Sequence, residues 1–311
     1  YLIVSALIIV SFSYLIYFEK IKSYQKPLPQ NIINSFKPTL KNNCFDIDYA
    51  HTKEKMNWFC ELGALSKTTS FVVVGDSHAL ALKPSFDKGA LANGKKGMFV
   101  GFSGCPALLD IYSVRPDRNI RNCRMLNKKI FEYIKDNKIK KIFLVSRWTY
   151  YTDGNYEKTN FSHISKKRKY FSNQNNSRLA FEFGLKNTVE KYENIGVEVI
   201  FVHQVPSQVF GPDFIYNKAI NKNDNNIDIN KLIKLSVDYN KHMLLQKFVR
   251  DKLKEVKNLN DNFKEIDLNS FFCDNKKCKI GTKKASYYSD KNHLSAFGAK
   301  AVEKEINLFL K

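Results

Sequence analysis

The chain has 311 residues, of which 43% are hydrophobic and 14% aromatic; that is ample apolar material for one large or two small cores, and it excludes a chain disordered throughout. With 51 Lys+Arg against 30 Asp+Glu the formal net charge is +21, which points to anionic surroundings such as acidic polysaccharide, phosphorylated glycolipid or a membrane surface. An AT-biased genome also raises Lys, Asn, Ile and Phe together, so the charge alone demands no partner, and the tracts Lys166-Lys167-Arg168-Lys169 and Lys276-Lys277 fall in loops with no stacking platform for nucleic acid.

Residues 1–18 carry no charge and are mostly Leu, Ile, Val, Phe and Tyr, a length that can cross a bilayer. No basic n-region or small-x-small cleavage site precedes Glu19, so a signal peptide fits poorly. The first residue is Tyr1 rather than Met, and the run is expected to be the last helix of a preceding membrane domain. Lys20, Lys22 and Lys26 follow it and, by charge bias, favour a cytoplasmic side for what comes next. Charges after a late helix weigh less than topology already set, and the cysteines argue for the outside. Cys44, Cys60, Cys105, Cys123, Cys273 and Cys278 form an even set, which in an oxidising compartment reads as three disulfides among fifteen formal pairings. Free thiols and zinc are the other readings. Zinc wants two close-spaced pairs, and only Cys273-x4-Cys278 is close, so no metal is expected.

Residues 25–43 contain Pro and Asn without periodicity and read as linker, so residues 19–43 are expected to join the membrane segment to a domain over 44–311. Strand and helix signals then alternate: strands over 71–74, 97–102, 141–145, 197–203 and 263–268, and helices over 79–88, 121–135, 178–192, 231–254 and 294–310. Apolar strands interleaved with helices predict an α/β fold, a parallel sheet between two helical layers. The polar segments 150–177 and 210–229 are too long for ordinary connections and read as insertions at the strands' carboxyl edge.

The run Phe71-Val72-Val73-Val74 stops in Gly75-Asp76-Ser77-His78 and passes into a helical pattern, which places a serine hydroxyl at the sheet's carboxyl edge. Asp290-Lys291-Asn292-His293 precedes the closing helix, so a carboxylate and an imidazole arrive on one short segment. A serine hydroxyl needs a base to take its proton as it attacks an acyl carbonyl. His293 is the candidate base, and Asp290, three residues earlier, can bend back to its other ring nitrogen and fix the tautomer. His78 is adjacent to Ser77 in sequence, but neighbouring side chains entering a helix diverge.

Together, Gly75-Asp76-Ser77-His78 and Asp290-x-x-His293 resemble the SGNH (GDSL-like) hydrolase superfamily. Ser103-Gly104-Cys105-Pro106 after the second strand, and Arg147-Trp148 after the third, in a six-cysteine chain, resemble the SGNH domain fused behind the membrane part of acyltransferase family 3 proteins. Those proteins O-acetylate bacterial surface glycans such as lipopolysaccharide O-antigen. The resemblance implies a three-layer α/β/α sandwich with a flavodoxin-like sheet, behind one transmembrane helix of an inner-membrane protein and facing the periplasm. With sequence proximity, it favours the pairs Cys44–Cys60, Cys105–Cys123 and Cys273–Cys278. It implies Ser77 as nucleophile, with the Ser77 and Gly104 amides as oxyanion donors, and leaves Arg147 and Trp148 open between contacting substrate and being surface and packing residues. It implies no cofactor in this domain, acetyl-CoA as donor to the membrane acyltransferase domain of the same polypeptide, and a glycan acceptor. Two departures stand out. The Asn donor usual after the third strand is replaced by Ser146-Arg147-Trp148, with Asn155 too distant to substitute, and Cys105-Pro106-Ala107 stands where Cys-Pro-Pro is common. A triad alone does not separate a transferase from a carbohydrate esterase, and a non-catalytic basic glycan-binding module is a further reading.

Overall fold

The computed structural model describes residues 27–39, 44–46, 59–65, 67–114, 119–168, 171–221 and 224–311. The apolar run at 71–74 forms strand β2 (Thr69–Gly75), flanked by β3 (Lys96–Gly101) and β5 (Lys141–Val145). β7 (Glu198–Val202) and β9 (Phe263–Ile266) complete five parallel strands in the spatial order β3-β2-β5-β7-β9. In sequence rank that is the 2-1-3-4-5 order of flavodoxin-like sheets. A sixth strand, β1 (Cys60–Gly63), which the sequence reading did not anticipate, runs antiparallel on the outer edge of β3. Two short ribbons stand apart from this sheet: β4 (Tyr112–Ser113) with β6 (Ile164–Ser165), and β8 (Val237–Asp238) with β10 (Lys277–Cys278).

Because strand side chains alternate, each strand feeds two cores. Val72, Val74, Ile142, Leu144, Val199 and Phe201 pack with helices α3 (Asn119–Asp136), α4 (Gln174–Glu193) and α7 (Tyr239–Lys257). Phe71, Val73, Phe143, Val145, Ile200 and Val202 pack on the other face, with α2 (Ser77–Ala92) and the C-terminal helix α10 (Glu303–Asn307), while α9 (Ala296–Ala301) lies on α2 through Ser85 Oγ and Ala299 O. This is the expected three-layer α/β arrangement, and the near-continuous apolar strands follow from being covered on both faces.

Four segments differ from the sequence expectation. The helix predicted over 231–254 is two, α6 (Ile229–Leu235) and α7. Between them Ser236 turns its hydroxyl to Leu232 O (2.9 Å) and accepts the Ile280 amide (3.1 Å), and Val237 pairs with Cys278; strand pairing there overrides helical periodicity. The helix predicted over 294–310 divides at Val302 into α9 and α10. Within the segment 210–229, α5 (Pro212–Ala219) starts on a proline at its first turn and buries Ile215, Tyr216 and Ala219. Residues 27–39, expected as linker, hold helix α1 (Gln30–Ser35) with Ile32 fully buried; Ser35 Oγ accepts the Ser286 amide (2.7 Å) and Pro38 bridges Ser295. The expected membrane segment, residues 1–18, lies outside the described residues, and among those described no helix is long and apolar enough to cross a membrane.

Candidate active site

At the carboxyl end of β2, a Cβ on Gly75 would lie 1.6 Å from Val145 O, so only glycine lets β2 run this close to β5 before turning. Asp76 then caps α2, accepting the His78 amide on Oδ1 (2.9 Å). Its Oδ2 accepts the Tyr151 hydroxyl (2.7 Å) and the Arg147 amide (2.9 Å). Asp76 is 2% exposed. Burial raises its pKa above the usual carboxylate range against the pull of those hydrogen bonds and of nearby His293. This carboxylate locks the Ser77 turn to the segment after β5, a role the sequence reading did not assign.

Ser77 opens α2, and its hydroxyl meets His293 Nε2 at 2.7 Å. On the other side of the ring, His293 Nδ1 lies 2.7 Å from Asp290 Oδ2. Asp290 Oδ1 takes the amides of Asn292 (2.8 Å) and His293 (2.7 Å), so the three-residue spacing closes a turn that aims carboxylate and imidazole at each other. Burial alone would raise the Asp290 pKa; the hydrogen bonds from the His293 ring and from the turn amides outweigh it and hold the carboxyl well below its usual range. A fixed anion at Nδ1 favours the tautomer with the proton there, which leaves Nε2 free to accept from Ser77. The arrangement can therefore pass a proton from the serine to the imidazole and hold the resulting imidazolium beside a carboxylate.

His78 does not face Ser77. Its Nε2 pairs with Asn292 Oδ1 (3.1 Å), and its ring lies 4.7 Å from that of His293. Burial drives its pKa well below the ordinary histidine range. A neutral His78 donating to Asn292 ties α2 to the turn that carries Asp290 and His293.

Gly104 lies in the turn after β3 with φ +64°, the left-handed region that favours glycine. Its neighbour Ser103 is held by Asp46, whose carboxylate accepts both the Ser103 amide (2.6 Å) and its hydroxyl (2.9 Å). On the far side, Asn127 donates to Pro106 O (2.9 Å) and Leu108 O (3.0 Å). All six cysteines are paired, as Cys44–Cys60, Cys105–Cys123 and Cys273–Cys278, with Cα separations of 5.4, 5.4 and 3.9 Å, which leaves no thiolate for zinc. The first bond anchors the segment carrying Asp46 and the second anchors the loop directly after Gly104, so two of the three brace this turn.

After β5, Arg147 and Trp148 part company. Arg147 sets its guanidinium 5.1 Å from the Tyr150 ring centre, with Nε buried and unpaired; burial lowers its pKa, while Asp76 and Asp290 pull the other way. Trp148 is fully buried, stacked on Phe201 (4.2 Å) with its indole N–H donating to Val202 O (2.8 Å). Of the two roles the sequence leaves open for Trp148, the buried ring has the packing one. The short 3-10 helix Trp148–Tyr151 turns its ring into the core between β7 and α4. Asn155 binds Thr159 and Asn160 within its own turn. Ser146 Oγ accepts the Ala107 amide (3.4 Å), joining the end of β5 to the loop after Gly104.

Residues 44–307 match the family described as the SGNH domain fused to AT3 domains. Among solved structures, the chain is similar to the periplasmic domain of a lipopolysaccharide acetyltransferase from Salmonella ser. Paratyphi A, with TM-score 0.58, 15% identity, and coverage of 86% of this chain and 92% of that one. A putative acylhydrolase from Bacteroides fragilis (TM-score 0.39, 13% identity, covering 80% of this chain and 91% of that one) also matches. So does a GDSL-like lipase from Bacteroides thetaiotaomicron (TM-score 0.42, 12% identity, 80% and 91%). No curated protein sequence matches. At these identities the structural likeness shows the α/β fold alone, whereas the family match spans the sheet, the Gly75-Asp76-Ser77 turn and the Asp290–His293 segment; the chain belongs to the family of SGNH domains fused to AT3 domains.

Proposed function

We propose that this chain is the glycan-facing part of an O-acyltransferase, moving an acetyl group onto a hydroxyl of a bacterial surface polysaccharide through an ester on Ser77. The observation that carries the reading is the continuous hydrogen-bonded line Ser77 Oγ to His293 to Asp290, 2.7 Å at each step. Ser77 Oγ attacks the acyl carbonyl while its proton passes to His293 Nε2. The oxyanion that forms is held by the amides of Ser77 and Gly104, a donor of this kind being worth about 2.7–4 kcal/mol. The leaving group takes the proton back from His293 as its bond to the acyl carbon breaks, which leaves acetyl-Ser77. A sugar hydroxyl then gives its proton to His293, attacks the ester carbonyl, and the acetyl group moves to the sugar as Ser77 Oγ regains a proton. In this reading Arg147, whose guanidinium feels the Asp290 charge, contacts substrate.

Fusion to AT3 domains in the family supports a membrane acyltransferase domain on the same polypeptide as source of the acyl group, drawn from acetyl-CoA. Residues 1–18 would be its last helix, with the domain in the periplasm, where six paired cysteines are at home. A second reading rests on exposure. The His293 side chain is 29% exposed and that of Asp290 51%, so water can reach an acyl-enzyme and the domain would act as a carbohydrate esterase. Glycan O-acetylation measured in membranes holding the complete polypeptide separates the two: acetyl gained with wild type and absent with Ser77→Ala supports transfer, whereas acetyl lost from a pre-acetylated glycan supports the esterase.

A further inference from the structure

A groove of about 540 Å³ lies between the segment after β5, the start of α4 and the N-terminal two thirds of α7. Two connections join it to the active site. Tyr151, whose hydroxyl holds Asp76, leads directly into Asp153 at the groove wall. Tyr156, also in the wall, donates its hydroxyl to Ser207 O (2.6 Å), and the next amide, that of Gln208, donates to Lys291 O (2.6 Å) within the Asp290–His293 turn. The groove is thus fixed to both turns that hold Ser77 and His293.

Its chemistry is aromatic and cationic. Tyr156, Phe248 and the exposed Leu244 supply apolar faces of the kind that pack against sugar rings. Arg178 pairs with Asp153 and Lys247 with Asp251 (2.5 Å), which accounts for both carboxylates in the lining. Lys158 and Lys241 are left with no carboxylate partner among the described residues. Lys241 lies 5.0 Å from the Tyr156 ring centre, in the first turn of α7, where the helix end adds positive potential. Lys158, at φ +54°, is presented on a turn braced by the Asn155 side chain.

We propose that this groove is the acceptor subsite and that its ligand is an acidic glycan, whose carboxylate or phosphate groups meet Lys158 and Lys241 while sugar rings lie against Tyr156 and Leu244. The inference rests on the acyl-transfer reading for its role, but the binding it predicts does not depend on the nucleophile. Titration of the full chain carrying Ser77→Ala with a short oligogalacturonate, and with the same oligomer fully methyl-esterified and so neutral, tests it. The acidic oligomer should bind about tenfold more tightly than the ester, the scale of two partly exposed ion pairs, and the difference should shrink as salt rises. Replacing Lys158 and Lys241 by Gln should abolish that preference, while replacing Lys88 and Lys300, exposed lysines elsewhere, should leave it intact. Equal affinity for acid and ester overturns the proposal, as does a preference untouched by the Lys158/Lys241 change. Dependence on those lysines seen only with phosphatidylglycerol vesicles would make the groove a membrane contact and also overturn it. Failure here leaves the Ser77 chemistry standing, because labelling of wild-type Ser77 by a fluorophosphonate reads that separately.

Discussion

At the scale of single residues, the hydrogen bonds assign unequal tasks to the three members of the line. Ser77→Ala removes the attacking atom and His293→Ala the proton acceptor, so each should lower kcat by at least about a thousandfold with the fold retained. Asp290→Asn keeps a hydrogen-bonding group beside Nδ1 and should retain more activity than either; steady-state hydrolysis of an aryl acetate with a thermal melt on each variant checks the ranking. The motifs that pointed to these residues were legible because each is local: a strand ending in Gly-Asp-Ser, and a carboxylate three residues before a histidine. The supports were not. Tyr151 meets Asp76 across 75 positions, Ser103 meets Asp46 across 57, and His78 meets Asn292 across 214. No periodicity records such pairs, because tertiary topology alone brings them together. A buried histidine away from the site gives a pH prediction. Burial lowers the pKa of His242 to about 4 despite its hydrogen bond to Asn269. Below the unfolded value of about 6.5 the unfolded chain binds a proton that the native state refuses, so stability falls as pH drops from there toward 4. His242 alone should contribute a loss of roughly 2–3 kcal/mol between pH 7 and 4.5. Urea unfolding at both pH values should show a smaller loss for His242→Gln; an identical loss would remove His242 from the account.

At the scale of elements, the β2 turn and the loop after β3 decide whether those residues meet. Gly75 packs against the Val145 carbonyl, and a side chain there must push β5 away from β2. Gly75→Ala should cost more than about 3 kcal/mol or prevent folding, the range reached when a buried contact cannot relax; a soluble variant with an unchanged melting temperature would contradict this. The Cys105–Cys123 bond ties the loop directly after Gly104 to α3. Reducing it frees that loop, so activity should fall together with stability, and more steeply than on loss of Cys273–Cys278, which lies between α8 (Asn269–Phe272) and β10. Paired Cys→Ser variants, compared by kcat and melting temperature, provide the check. The five parallel strands were legible as apolar runs because both their faces are covered. The break in the helix predicted over 231–254 was not, since Ser236 and Val237 are recruited by Ile280 and Cys278 from 44 and 41 positions away in the chain. The role of Trp148 stayed open in the sequence for a related reason: it adjoins Arg147, but Arg147 caps the 3-10 helix and Trp148 is its first residue, with its ring in the core.

At the scale of the whole molecule, the fold brings Ser77, His293 and Asp290 together at the carboxyl end of β2, while the acyl source is proposed to lie in a membrane domain. This chain alone should therefore hydrolyse a small aryl acetate slowly, because water reaches an acyl-enzyme when no acceptor fills the site. It should not acetylate glycan from acetyl-CoA; efficient transfer from that donor by the isolated chain would refute the division of labour, and rapid glycan-specific deacetylation would favour the esterase. The central claim is that acyl groups pass through Ser77. Its most direct measurement is mass spectrometry of the peptide containing Ser77 after rapid acid quenching of protein turning over an aryl acetate. The account predicts an added acetyl group on Ser77 that accumulates in wild type, is absent from Ser77→Ala and is discharged when an acceptor glycan is supplied; steady turnover with Ser77 unmodified, or turnover preserved in Ser77→Ala, would contradict it.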